Sequence, residues 1–130
     1  MYKWTEDLCT GYDEIDEQHR KLFTVCARIE KIVRENDNKA GQRTAIEAIK
    51  YLKQYANEHF MTEEAFQRSI GYEDYEIHKK VHDSLREWVV EYECKLIEND
   101  FNRETILELV EYVEKWLYEH IMGMDQKIKG

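Results

Sequence analysis

Residues 15–33 read IDEQHRKLFTVCARIEKIV, and within them Ile15, His19, Leu22, Cys26, Ile29 and Val33 recur at alternating steps of three and four. That is the period of one face of an α-helix, whereas a half-buried strand would alternate at every second residue. Three further segments carry the same period. The second runs through Ala45, Ile49, Leu52, Ala56, His59, Glu63, Phe66 and Ile70, and the third through Tyr75, His78, His82, Leu85, Val89, Tyr92 and Leu96. The fourth has Ile106, Val110, Val113, Leu117 and His120. Gly, Asn and Asp gather at Thr10–Gly11, Asn36–Gly41, Ser69–Asp74 and Asn99–Asn102, which are the expected breaks between segments. Proline is absent, so nothing interrupts the helices internally. Four amphipathic helices of similar length with short connections predict an all-α fold: an antiparallel up-down-up-down four-helix bundle behind an N-terminal leader loop. Residues 1–130 are expected to form a single domain.

Composition narrows the function. The chain has 130 residues, 19 basic and 28 acidic, for a net charge of −9. Such a surface repels phosphates, so nucleic acid is not an expected partner. No apolar run approaches the length of a membrane helix, so no membrane association is expected. Met1–Gly11 lacks an apolar signal core, and a cytoplasmic location is the expectation. Cys9, Cys26 and Cys94 are odd in number and far apart, which argues against a disulfide scaffold. Cys26 lies on the first apolar stripe and is read as a small core residue.

All five histidines fall on the four stripes, and so does Glu63. A buried imidazole or carboxylate is costly unless something satisfies it. Their positions also pair across the turns. His19 and His59 are equidistant from Lys39; His59 and His82, like Glu63 and His78, are equidistant from Ser69–Asp74; His82 and His120 flank Phe101 symmetrically. In an antiparallel bundle such residues share a height along the axis. At about 1.5 Å per residue, the polar side chains occupy one slab roughly 6 Å thick. The polar core is one cluster.

Imidazoles and a carboxylate converging on one point make a metal site. His59 and Glu63 stand four residues apart, as do His78 and His82, which sets each pair on one helix face a turn apart. Five nitrogens exceed the four ligands of a structural zinc. A second carboxylate is needed to balance charge, and Asp125 is the candidate, with Gly123 ending the helix so that the chain bends it back. Glu64 and Glu119 are phased outward and are expected on the surface. Met61 is phased away from its neighbouring ligand and has no expected role.

These motifs resemble the hemerythrins, in particular the single-domain bacterial hemerythrins. The likeness rests on Trp4 and Gly11, Ile15-Asp16-Glu17-Gln18-His19, His59-Phe60-Met61-Thr62-Glu63-Glu64, Gly71-Tyr72, His78-Lys79-Lys80-Val81-His82, and Trp116 with His120-Ile121 and Asp125. A member of that family is a standard example of the four-helix bundle, so the resemblance and the fold are not independent. The resemblance implies a non-heme di-iron centre with an oxo or hydroxo bridge. One iron is held by His78, His82 and His120, the other by His19 and His59, and both are bridged by Glu63 and Asp125. The iron with two histidines is one ligand short, and there dioxygen binds reversibly as hydroperoxide.

Reversible binding needs an apolar wall, for which Leu22, Phe60, Trp116, Leu117 and Ile121 are the candidates. Tyr51, Tyr55 and Tyr112 are read as core aromatics. The family often has Met where this chain has Gln67, and Gly-Tyr-Pro where it has Gly71-Tyr72-Glu73. Both departures are expected to affect the second interhelical turn and not the metal site. A dioxygen carrier for storage, delivery or scavenging is the leading function, not an enzyme. The alternatives are a di-iron enzyme that reduces peroxide or nitric oxide, or an oxygen or iron sensor. Ferritin-like oxidases are disfavoured, because their ligation is carboxylate-rich with Glu-x-x-His pairs.

Overall fold

The leader is fastened before the first helix begins. The Asp16 carboxylate accepts from the Thr10 amide (2.7 Å), the Thr10 hydroxyl (2.8 Å) and the Gly11 amide (3.2 Å), while Gly11 turns at φ +94°. A single 3-10 turn, Glu6–Leu8, lies upstream, and Leu8 is fully buried. Four helices follow in this computed structural model, which describes residues 3–36 and 38–125. They are α1 (Asp13–Glu35), α2 (Lys39–Ser69), α3 (Tyr75–Glu98) and α4 (Arg103–Gly123), and there is no strand among the described residues. The expected domain of residues 1–130 also takes in 1–2, 37 and 126–130, which lie outside the described residues.

Side chains cap two of the helix starts, because the first backbone N–H groups of a helix have no internal partner. Asn38 Oδ1 accepts from the Gly41 amide (2.8 Å), and Asn102 Oδ1 accepts from the Thr105 amide (2.9 Å). The break expected at Asn36–Gly41 therefore closes early, at Lys39. Gly41 lies inside the first turn, where a Cβ would collide with the Asn36 carbonyl oxygen. At the end of α2, Gly71 takes φ +64° and the Tyr72 amide returns to the Gln67 carbonyl at 2.8 Å, a glycine-terminated helix stop. Gln42, from the start of α2, donates to the Phe101 carbonyl at 3.0 Å and so ties the first turn of α2 to the loop before α4.

The stripe of α1 is buried throughout, and so is that of α4. Leu22, Cys26, Ile29, Ala45, Leu52, Ile106, Val110 and Leu117 belong to one apolar core. Helix α3 contributes less: only His78, His82, Leu85 and Leu96 are buried, and Val89 and Tyr92 are half-exposed. An apolar groove therefore runs between α2 and α3, over Leu52, Ala56, Leu85 and Val89. The reading of the tyrosines is corrected as well. Tyr51 and Tyr112 are exposed, not core, and Tyr55 is half-buried. Tyr112 stacks on Trp88 at 3.7 Å on the outer side of α3 and α4, and Lys21 lies 4.7 Å from the Tyr55 ring. Ile70, the last residue of the second stripe, is exposed where α2 ends. Among the described residues no helix is long and apolar enough to cross a membrane.

Candidate metal centre

Each helix delivers its nominated side chains to one level of the bundle. His19 comes from α1, His59 and Glu63 from α2, His78 and His82 from α3 and His120 from α4, and all are buried. Asp125 is fully buried two residues past the end of α4. The chain turns there through Met124 in a right-handed conformation, so the bend uses no left-handed glycine. Donor atoms fall into two groups. Glu63, His78, His82, His120 and Asp125 form one, and His19, His59, Glu63 and Asp125 the other, with the atoms of each group within 4.8 Å of one another. The two carboxylates belong to both.

The spacing within the first group tests what it could hold. His78 Nε2 lies 2.9 Å from His120 Nε2, and His82 Nε2 lies 3.1 Å from the same atom. Asp125 Oδ1 is 2.8 Å from His78 Nε2 and 3.1 Å from His120 Nε2, and Glu63 Oε1 is 3.0 Å from His78 Nε2. Ligands 90° apart on metal bonds of about 2.1 Å stand about 3.0 Å from each other, whereas a tetrahedral edge would be about 3.4 Å. The spacings in this group are nearer the 90° value than the tetrahedral one.

The outer nitrogens explain which atoms are free to bind. His59 Nδ1 donates to Gln18 Oε1 (2.7 Å), and His82 Nδ1 donates to Glu64 Oε2 (2.8 Å). An Nδ1 proton leaves the Nε2 lone pair bare and pointing inward. His78 Nδ1 meets the Gln67 side-chain amide at 2.8 Å, and Gln67 Oε1 has no partner. Reversing that amide, whose two ends have the same shape, supplies the acceptor and gives His78 the same tautomer. Bare lone pairs facing one another repel unless a cation lies between them. Both oxygens of Glu63 and of Asp125 also lack hydrogen-bond partners, as does His19 Nε2. Buried polar atoms orphaned together in this way fit a metal pair.

Charge tells the same story. Burial opposes protonation of His19 and His78, but the Asp125 and Glu63 carboxylates outweigh it and push both up to about 9. His59 is pushed down, chiefly by burial. Burial works to raise Glu63, yet the surrounding imidazoles hold it well below the usual carboxylate range. Without a cation the cluster holds protons in its place.

Glu64 is a correction. It is buried against His82 and not on the surface, because residues on α3 close over the side of α2 to which it points. Glu119 is exposed as expected. Gln67 is also buried and reaches His78, so that departure bears on the metal centre as well as on the turn. Gln18, Glu64 and Gln67 carried no ligand spacing of their own. Their common signal is a polar residue adjacent to, or four residues from, a nominated ligand.

Of the wall candidates, Phe60 stacks on His82 (4.1 Å, 17°) and meets Trp116 edge-on at 5.6 Å. Trp116 stacks on His120 at 4.5 Å. Leu22, Leu117 and Ile121 are buried in the adjoining apolar core.

Residues 10–130 match the family model of the hemerythrin HHE cation binding domain. The chain belongs to the hemerythrin family. Its relatives include a bacteriohemerythrin of Clostridium acetobutylicum, 32% identical over 98% of both chains. A myohemerythrin of Theromyzon tessulatum is 30% identical over 99% of this chain and 92% of its own. A bacteriohemerythrin of Stenotrophomonas maltophilia is 31% identical over 95% of this chain and 76% of its own. As a hemerythrin it is a non-heme iron, oxygen-binding protein whose domain binds a di-iron centre.

Proposed function

We propose that this hemerythrin is a reversible dioxygen carrier. In this reading His78, His82 and His120 would hold one iron and His19 and His59 the other, with Glu63 and Asp125, common to both donor groups, shared between them. The observation that carries it is the inequality of the two donor groups around shared carboxylates, three imidazoles against two. An iron pair held there would supply two electrons to dioxygen, with the smaller imidazole set leaving it room to bind. The protein's part is to exclude water and hold protons away. Phe60, Leu117, Ile121 and Leu22 are all buried, and with Trp116 they bring no proton donor beyond the indole N–H. Storage, delivery or scavenging in the cytoplasm are the roles open to such a carrier.

The test is the optical spectrum of the reduced protein through repeated addition and removal of dioxygen. A carrier shows a charge-transfer band that appears and disappears over many cycles. One-way bleaching, with turnover of added peroxide or nitric oxide, would replace the carrier by an enzyme.

A further inference from the structure

Two of the contacts that hold His82 meet at one residue outside the cluster. Glu64 Oε2 accepts from His82 Nδ1 at 2.8 Å and from Arg86 Nη1 at 3.1 Å. The Phe60 ring stacks on His82, and the Arg86 guanidinium stands 5.1 Å over the centroid of that same ring. Arg86 is itself fixed by two more bonds, Nε to Asn57 Oδ1 at 2.9 Å and Nη1 to Asp83 Oδ1 at 2.8 Å. It spans the seam between α2 and α3 where the packing is thin, and it borders the groove that ends on Phe60.

His82 differs from the other imidazoles in this respect. The amides of Gln18 and Gln67 support His59 and His78. The outer nitrogens of His19 and His120 have no partner among the described residues. Only His82 leans on a carboxylate, and a buried carboxylate is costly without a cation. With a metal on His82, the imidazole is neutral and gives Glu64 a proton to accept but no charge. The guanidinium is then the one cationic side chain recorded in contact with Glu64 among the described residues. A planar fork that also sits on an aromatic face suits both tasks, which a lysine could not perform together.

We propose that Arg86 is a positioning residue of the metal centre, neutralising Glu64 and seating Phe60 so that the His82 ring is fixed by both. This rests on reading His82 as an iron ligand. It assigns a remote, partly exposed cation to the retention of metal.

The experiment compares Arg86→Met, Glu64→Gln and the double variant as iron-loaded proteins, reading the rate of iron release to an excess of chelator. Arg86→Met keeps the packing stem and removes the charge. Release is expected to quicken about 10- to 100-fold, the usual penalty for losing a ligand's support. Glu64→Gln keeps an acceptor for His82 and should release iron only slightly faster than the parent. The double variant should fall between Glu64→Gln and Arg86→Met, because a neutral amide needs no counter-charge while the Phe60 ring still loses its guanidinium. Arg86→Lys, a check on the fork, should fall between parent and Arg86→Met. Parent-like release from Arg86→Met overturns the proposal, and so does a double variant as leaky as Arg86→Met. Full retention of two irons by His82→Ala would instead overturn the ligand assignment on which it rests.

Discussion

Leu117 and Ile29 are both almost wholly buried, but they stand at different distances from the imidazoles. Leu117 precedes His120 by three residues, about one turn, whereas Ile29 lies ten residues beyond His19, about 15 Å along α1. Truncating either to alanine is expected to destabilise the fold by roughly 2–5 kcal/mol, as a buried cavity does. Only the Leu117→Ala cavity adjoins polar ligands and can take in water. Irreversible oxidation of the oxygenated protein should therefore accelerate in Leu117→Ala and not in Ile29→Ala, with two irons kept in both. Equal oxidation rates would reduce the wall to ordinary core packing. The bridging carboxylates give a second test. Glu63→Gln or Asp125→Asn removes a negative charge shared by both metals, so the paired-iron absorption should vanish while helical circular dichroism persists. A variant that kept full iron and reversible dioxygen binding would show that its residue is no bridge. At this scale the sequence was most readable where a polar residue broke an apolar stripe, as at His19 or Glu63. It was least readable at Glu64, whose phase on α2 alone points outward; its burial depends on the side of α3 that meets it.

Between α1 and α4 the core contains a second acidic feature, away from the imidazoles. Glu114 is buried with one carboxylate oxygen lacking a partner, and Glu30 and Cys26 are near enough to interact with it electrostatically. Burial, reinforced by the Glu30 charge, pushes Glu114 up to about 7. The unfolded chain loses that proton near the ordinary value of about 4.5, so between about 4.5 and 7 the folded protein binds more protons. Its contribution is whole below that window and is lost as pH rises through 7. Glu114→Gln should flatten this part of the stability profile, raising the melting temperature above pH 7 relative to the parent and changing it little near pH 4. Parallel profiles from thermal melts of the two proteins would remove Glu114 as the cause. Helix positions were legible from the stripes because apolar period and bundle burial coincide in α1 and α4. In α3 they diverge: the stripe continues through Val89 and Tyr92, but the helix stands away from α2 and leaves them half-exposed.

The whole molecule couples metal to folding. Without metal, five imidazoles and two carboxylates share a core in which desolvation penalises each of them. The iron-free protein should melt lower than the loaded one, with faster amide exchange around His59 and His82. Equal stability and equal protection would contradict burial around a metal. Because His19 and His78 are held up to about 9 when no cation is present, iron entering at neutral pH displaces protons from them. Uptake in weak buffer should therefore acidify the solution, and affinity should fall as pH is lowered. Uptake with no proton release would show that the imidazoles are already bare. The bundle itself was readable from spacing alone, since the turn symmetry of the histidines fixes the height of each helix against its neighbours. The leader's attachment was not, because it depends on three donors converging on Asp16, and these form no periodic pattern.

The ring nitrogens of His78 and His82 lie 2.9 and 3.1 Å from that of His120. Selection among ions is thereby moved from the ion to the polypeptide. An incoming zinc favours a wider, four-cornered arrangement and would leave several of these donors idle in a dry interior. A six-coordinate ion uses them all. The cell's supply of competing metals then matters most while the chain is still assembling, before α4 has carried His120 and Asp125 into place; an ion that joins only some of these donors leaves the others unpaired when the bundle closes.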